Sequence, residues 1–247
     1  DLEHSQAITV LETLSDLPRI PDNAEYILAG IAYSHPKLVL DWISQRILRF
    51  TDENGFLKSG ALPYSFHQLP QTLSSYPKEV LEASLYWFEI SRQTFQFYGA
   101  DIVRQCFPNP ENEVAEFIFA LCKSGDEKSI KYSLSLLSEY QGSVEVFAIV
   151  RKLLPYIPQG SDLEKQADYV LDQSGTVYGA FGFEELYSAR IQTLQGWRDD
   201  ENENVQIYAD RLIKQFEGSR GSESRFAREQ MAMQRLKYDE DLGPIGQ

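Results

Sequence analysis

The stretch Trp197-Arg198-Asp199-Asp200-Glu201-Asn202-Glu203-Asn204-Val205, continued through Phe216, decides the fold. An acidic cap stands before one apolar stripe: Val205, Tyr208, Ala209, Leu212, Ile213 and Phe216. Spacing of three and four residues keeps that stripe on one face of an α-helix. A helix with one apolar face is stable only when stacked against other helices. The acids at its start complement the positive end of the helix dipole, which is a simpler reading than a carboxylate or cation site.

The same grammar extends in both directions. Ala24–Ser34 reads as a compact apolar helix carrying Tyr26, Ile27 and Ile31, and Pro36 opens a helix to Phe50 with Val39, Ile43 and Ile47 aligned. Residues 51–71 carry Asp52-Glu53-Asn54-Gly55, Gly60, Pro63 and Pro70, which predicts a loop and a break in the chain. Helices are then expected from Pro77 to Ile90, from Arg92 to Phe107, after Asn109-Pro110, and after the cap Asp126. Further ones follow at Val144–Leu154, from the capping box Ser161-Asp162-Leu163-Glu164, at Phe183–Leu194 and at Asn202–Phe216. Helices of roughly 12–16 residues joined by short turns pair as antiparallel neighbours. Pairs recurring at roughly 35–40 residues suggest stacked helical hairpins. Ser219-Arg220-Gly221-Ser222-Glu223-Ser224 predicts a flexible break unless the preceding helix runs through it. A charged helix from Arg225 to Tyr238 and a disordered end from Asp239 to Gln247 are expected beyond it. The expected organisation is therefore an N-terminal helical part (1–70), helical repeats (71–217) and a charged tail (218–247).

Composition sets limits on partners. The 37 acidic and 23 basic residues leave a net charge of −14, which repels phosphate backbones and anionic lipid surfaces. No apolar run approaches the ~20 residues that span a bilayer. Cys106 and Cys122 sit in apolar helical contexts and read as buried free thiols. Sparse cysteine and no secretory signal predict the cytoplasm. A start at Asp1 without an initiator Met predicts a piece of a longer protein.

Trp197–Phe216 resembles the second helix of a HEAT repeat: Asp199/Asp200, Val205, Ala209 and Leu212/Ile213 occupy the family's pattern positions. Gln206 departs from it, standing where the family has an arginine that joins a ladder of acids between repeats. The resemblance implies an all-α fold, an irregular α-solenoid of HEAT-like antiparallel hairpins. A longer segment resembles the C-terminal helical region of bacterial defence proteins of the STAND/NACHT type. It comprises Gly175-Thr176-Val177-Tyr178-Gly179-Ala180-Phe181-Gly182, Trp197-Arg198-Asp199-Asp200, and Glu223, Arg225, Arg228-Glu229 and Leu236-Lys237-Tyr238. That resemblance implies a non-enzymatic sensor or scaffold domain that recognises a protein partner in antiviral defence. Any NTPase activity would lie elsewhere, since the chain has no Gly-x-x-x-x-Gly-Lys-Ser/Thr loop.

The chemistry-bearing residues point the same way. His4, His35 and His67 have no second ligand at metal spacing, and Gly142-Ser143 and Gly179-x-x-Gly182 read as turns. Neither a catalytic group nor a cofactor is expected. The candidate partner-binding residues are Arg151, Arg190, Trp197, Arg198 and Arg211. Tyr132, Tyr140, Tyr187 and Tyr208 each read more readily as core or rim than as surface hot spots, although aromatics concentrate at such hot spots. Basic residues on the later helices also admit an alternative. HEAT-like glycosylases bind DNA with such a row, although a solvated helix face under a net negative charge explains it more simply.

Overall fold

The computed structural model describes residues 3–241, with side chains to residue 237, and is all-helical over that range apart from one isolated bridge between Thr51 and Leu57. The contacts divide the chain into two compact units, Asp1–Gln141 and Gly142–Gln247.

The first unit holds α1 (His4–Asp16), α2 (Ala24–Ser34), α3 (Pro36–Phe50), α4 (Leu69–Leu73) and α5 (Pro77–Ile90). A helical rod follows, made of α6 (Arg92–Thr94), a π turn (Phe95–Gly99) and α7 (Ala100–Cys106), and then α8 (Glu113–Cys122) and α9 (Glu127–Leu137). The starts are dictated locally. Pro36 and Pro77 occupy first-turn positions where the missing N–H costs nothing. The Asp126 carboxylate accepts from Ser129 N at 2.9 Å and caps α9. α3 packs against α1, α2 and α5, so Val39, Ile43 and Ile47 are fully buried. On α2 the inward face is Leu28, Ile31 and Ala32, while the apolar Tyr26 and Ile27 are exposed. Their neighbours at helical spacing turn toward α3 and α4 instead.

Arg46 is 2% exposed and sits among α1, α3 and the loop that follows α3. Its Nε donates to Ala61 O at 2.8 Å, and its Nη1 donates to Leu17 O at 2.8 Å and Ser15 O at 3.2 Å. The guanidinium carbon lies 4.3 Å from the Phe50 ring centre. Burial lowers its pKa, and Arg49 adds to that. The cation is held by carbonyls at the negative end of α1 and by an aromatic face rather than by a carboxylate.

The second unit holds α10 (Glu145–Leu153), a 3-10 turn (Leu154–Tyr156), α11 (Asp162–Asp172), α12 (Gly182–Gln195) and α13 (Glu203–Asp241). Gly142 opens it at φ +78°, where a Cβ would meet Gly175 N at 2.8 Å, so both backbone angle and space require glycine. Ser161 Oγ accepts from Glu164 N at 3.3 Å and starts α11. All six stripe residues of the opening segment are buried. α12 lies antiparallel to α13: Arg198 pairs with Asp210, Tyr187 contacts Phe216, and Phe181 lies near Leu236. The expected break at Ser219–Ser224 is absent, because α13 runs through it. Glycine costs about 1 kcal/mol in a helix. Here burial of Phe216 and Ala227, on either side of Gly218 and Gly221, offsets that cost. The expected disordered end is helical as far as Asp241, and residues 242–247 lie outside the described ones.

Replacing Arg46 by Met keeps most of its volume but strips the carbonyls of Leu17 and Ala61 of their donor. The expected cost is about 2–3 kcal/mol, read by urea unfolding followed through tryptophan fluorescence. A change below about 0.5 kcal/mol would show that those carbonyls find other partners.

Candidate functional site

Of the arginines and tryptophan singled out from the sequence, Trp197 and Arg190 are buried, and Arg151, Arg198 and Arg211 are part-exposed but paired with acids of the second unit. Trp197 is 3% exposed and meets the Phe147 ring edge-on at 6.1 Å. Arg190 is 5% exposed, and its Nη2 donates to Gln173 O at 2.6 Å while its Nη1 meets Asp172 Oδ1 at 3.3 Å. Arg211 on α13 forks onto Asp168 of α11 at 2.8 and 2.7 Å and reaches Glu164 at 3.1 Å. These acids hold the guanidinium in its charged form and raise its pKa. Arg151 on α10 meets Asp200 at 2.7 Å, and half-exposed Arg198 meets Asp210 at 2.7 Å. The five residues thus sit at separate joints between helices, and neither Trp197 nor Arg190 is presented to a partner here. Tyr132, Tyr140 and Tyr208 are buried as well, and Tyr187 is half-buried.

Gln206 and Arg151 both meet Asp200. The Gln206 amide donates to the Asp200 carbonyl at 2.5 Å, while Arg151 brings positive charge to the Asp200 carboxylate from another helix. The backbone N–H of Asn202 and then Arg151 hold that carboxyl below the usual range.

Three exposed aromatics of the first unit, Phe56, Tyr64 and Phe97, line a cavity of about 460 Å³. Its walls are the loop 51–68 and the π-interrupted rod: Phe56, Tyr64 and Phe66 on one side, Phe97, Tyr98 and Ile102 on the other. Phe97 is 68% exposed and Tyr64 85% exposed. The Phe56 and Phe97 rings stand 6.5 Å apart. Phe97 belongs to the π turn, a helix irregularity found mostly at functional positions. Gly99 closes that turn because a Cβ there would meet Phe95 at 2.8 Å and Trp87 at 3.2 Å.

An irregular loop of this length is held in shape by polar contacts. The Asp52 carboxylate accepts from the backbone N–H groups of Asn54 and Phe56, both at 2.9 Å. Gly55 turns at φ +83°, and its carbonyl accepts from the Ser91 hydroxyl at 2.5 Å and the Thr94 hydroxyl at 3.1 Å. Arg46 fixes Ala61, Asp22 accepts from Tyr64 N at 3.1 Å, and buried Glu25 accepts from His67 N at 2.8 Å. The loop therefore presents Phe56 and Tyr64 in fixed positions. Long ordered loops without regular structure are usually functional.

The polar edge of the cavity is Asp101, which accepts from Arg104 at 2.7 Å and from Gln105 at 2.5 Å. Burial, and then the nearby Asp101, push the Glu139 carboxyl up, with Arg104 partly offsetting them. Cys106 and Cys122 are buried free thiols; burial pushes Cys106 up to about 12, so it is unreactive at neutral pH. Among the described residues, no group of three or more His, Cys, Asp or Glu could hold a metal ion, and no helix is long and apolar enough to cross a membrane. Sequence patterning did not reveal this cavity. Phe56 and Phe97 are far apart in sequence, and the tie from Gly55 to Ser91 and Thr94 helps bring them together.

No family model, no curated protein and no solved structure matches this chain.

Asp200→Asn is expected to destabilise the protein by about 1 kcal/mol at neutral pH, through loss of the charge-assisted bond to Arg151. The folded pKa of Asp200 lies below its unfolded value, so its contribution is full above about pH 4 and fades as pH falls through the folded pKa. Thermal melts of the two proteins should converge on acidification. A gap that persists unchanged at pH 3 would refute the assignment.

Proposed function

We propose that the chain is a protein-interaction module of HEAT-like helical hairpins that works by binding rather than by catalysis. Its first unit would anchor a partner side chain in the aromatic cavity. The observation that carries the reading is Phe97, an exposed aromatic on a π turn, facing Phe56 across a cavity whose loop wall is fixed by buried Arg46 and Glu25. Cavities that bind have apolar walls and a few polar groups at fixed places, here Asp101 and Gln105. Aromatic anchors seated in such places supply most of an interface's energy.

The antiparallel pairing of α12 with α13 supports the hairpin part of this proposal. Placement in a solenoid, and a role as the sensor or scaffold end of a larger cytoplasmic defence-type protein, draw on the resemblance of Gly175–Tyr238. Arg151, Arg190, Arg198 and Arg211 already neutralise acids of their own unit, which favours a protein partner over a phosphate backbone.

Peptide phage display on the full chain is expected to enrich sequences sharing one aromatic or long aliphatic residue. Phe97→Ala should weaken the enriched peptides about tenfold while leaving the melting temperature within about 2 °C. Enrichment that is indifferent to both Phe97→Ala and Phe56→Ala would overturn the proposal.

A further inference from the structure

Beyond Arg211, α13 changes character. Residues 218–237 hold five cations (Arg220, Arg225, Arg228, Arg235, Lys237) against two acids (Glu223, Glu229), within a chain of net charge −14. Over this stretch α13 and Phe181 enclose a groove of about 600 Å³ lined by Phe181, Arg228, Met231, Ala232, Arg235 and Leu236. Successive residues turn by 100°, so the five α13 residues of the groove fall within one face about 140° wide. Leu236 is 65% exposed and Met231 is half-buried. Among the described residues neither Arg228 nor Arg235 has an ion-pair partner, in contrast to Arg211 on the same helix.

We propose that this groove docks an acidic amphipathic helix from a protein partner. Arg228 and Arg235 are seven residues apart, about 10 Å along the helix, with Met231 and Ala232 between them. The matching surface is a helix with carboxylates at i and i+7 and apolar side chains at i+3 and i+4. Its apolar residues would lie over Met231, Ala232 and Leu236, and its acids would meet the two guanidiniums.

Two other occupants fit less well. Arg228 and Arg235 are placed symmetrically about the midpoint of Met231 and Ala232. A second copy pairing antiparallel across the groove would therefore set Arg228 against the second copy's Arg235, a like-charge contact. An anionic membrane favours helices whose cations flank or oppose the apolar face. Here both arginines lie inside the apolar stripe, between Met231 and Leu236.

The test uses the full chain and three fluorescein-labelled helical peptides in an anisotropy titration. One carries Glu-x-x-Leu-Leu-x-x-Glu, the second has Lys for Glu, and the third is a scramble of the first. The acidic peptide is expected to bind at least tenfold more tightly than the other two, and to weaken between 50 and 300 mM salt. R228E/R235E should reduce its affinity at least tenfold and turn the preference toward the Lys peptide, with α-helical content unchanged by circular dichroism. Equal binding of all three peptides, no binding of the acidic one at 100 µM, or binding indifferent to R228E/R235E would overturn the proposal. Two results would reassign the groove. A concentration-dependent dimer abolished by R228E/R235E would assign it to a second copy. Flotation with phosphatidylserine vesicles, lost in the same variant, would assign it to a lipid surface.

Discussion

The first unit depends on a buried cation that makes no ion pair among the described residues. Arg46 is surrounded by carbonyls of Ala61, Ser15 and Leu17 and by the face of Phe50. Desolvating a guanidinium is expensive, and carbonyl dipoles repay that cost only when several point at it together. The arrangement therefore tolerates little movement: the end of α1, the middle of α3 and the loop after it are fixed by one side chain. Glu25 is the counterpart with the opposite sign, a buried carboxylate satisfied by the backbone N–H groups of His67 and Gln68. A positive and a negative side chain, each bound to backbone, hold the two halves of one loop. That loop carries the exposed rings at the cavity, so the shape of the site follows from these two charges.

The second unit solves a different problem with the same residue type. Its helices are joined by several arginine–carboxylate pairs, part-exposed at Arg151, Arg198 and Arg211 and buried at Arg190. Arg211 illustrates why position along a helix decides the outcome. Where α13 lies beside α11, Asp168 and Glu164 are within reach and take up the charge. Further along, α13 has Phe181 beside it, and among the described residues Arg228 and Arg235 have no ion-pair partner. Neither circumstance is visible in the helix itself, because the partner of a surface arginine belongs to another segment.

This separates what could be read in the sequence from what could not. The bounds of α2, α3 and α5 follow from signals within a few residues, chiefly Pro36 and Pro77 at helix starts, and the Val205–Phe216 stripe faces inward as its spacing demands. Local periodicity failed where tertiary contacts compete. Tyr26 and Ile27 fit a helical stripe but lie on the outer side, while Glu25 beside them is drawn inside by the N–H groups it accepts from. Gly218 and Gly221 weaken α13 locally, yet burial of Phe216 and Ala227 carries the helix through. The π turn left no local mark, because what fixes it is the contact of Gly99 with Phe95 and Trp87. Arginine and tryptophan near a helix start looked like surface anchors; only the neighbouring helices could show that Trp197 and Arg190 are interior.

Net charge carries the same lesson for function. An excess of acids sets the distant field, which falls off over about 8 Å at physiological ionic strength. Within that distance a ligand responds to the particular groups it meets. Asp200, Asp210 and Asp168 are already matched by arginines in their own unit, so a ligand meets less of their charge, although the net excess of acids is unchanged. Arg228 and Arg235 have no ion-pair partner among the described residues, and both line the groove. An acidic partner would be repelled at long range and attracted at contact. Docking against such a field should be slow to form, so its selectivity must come from close fit rather than from electrostatic steering.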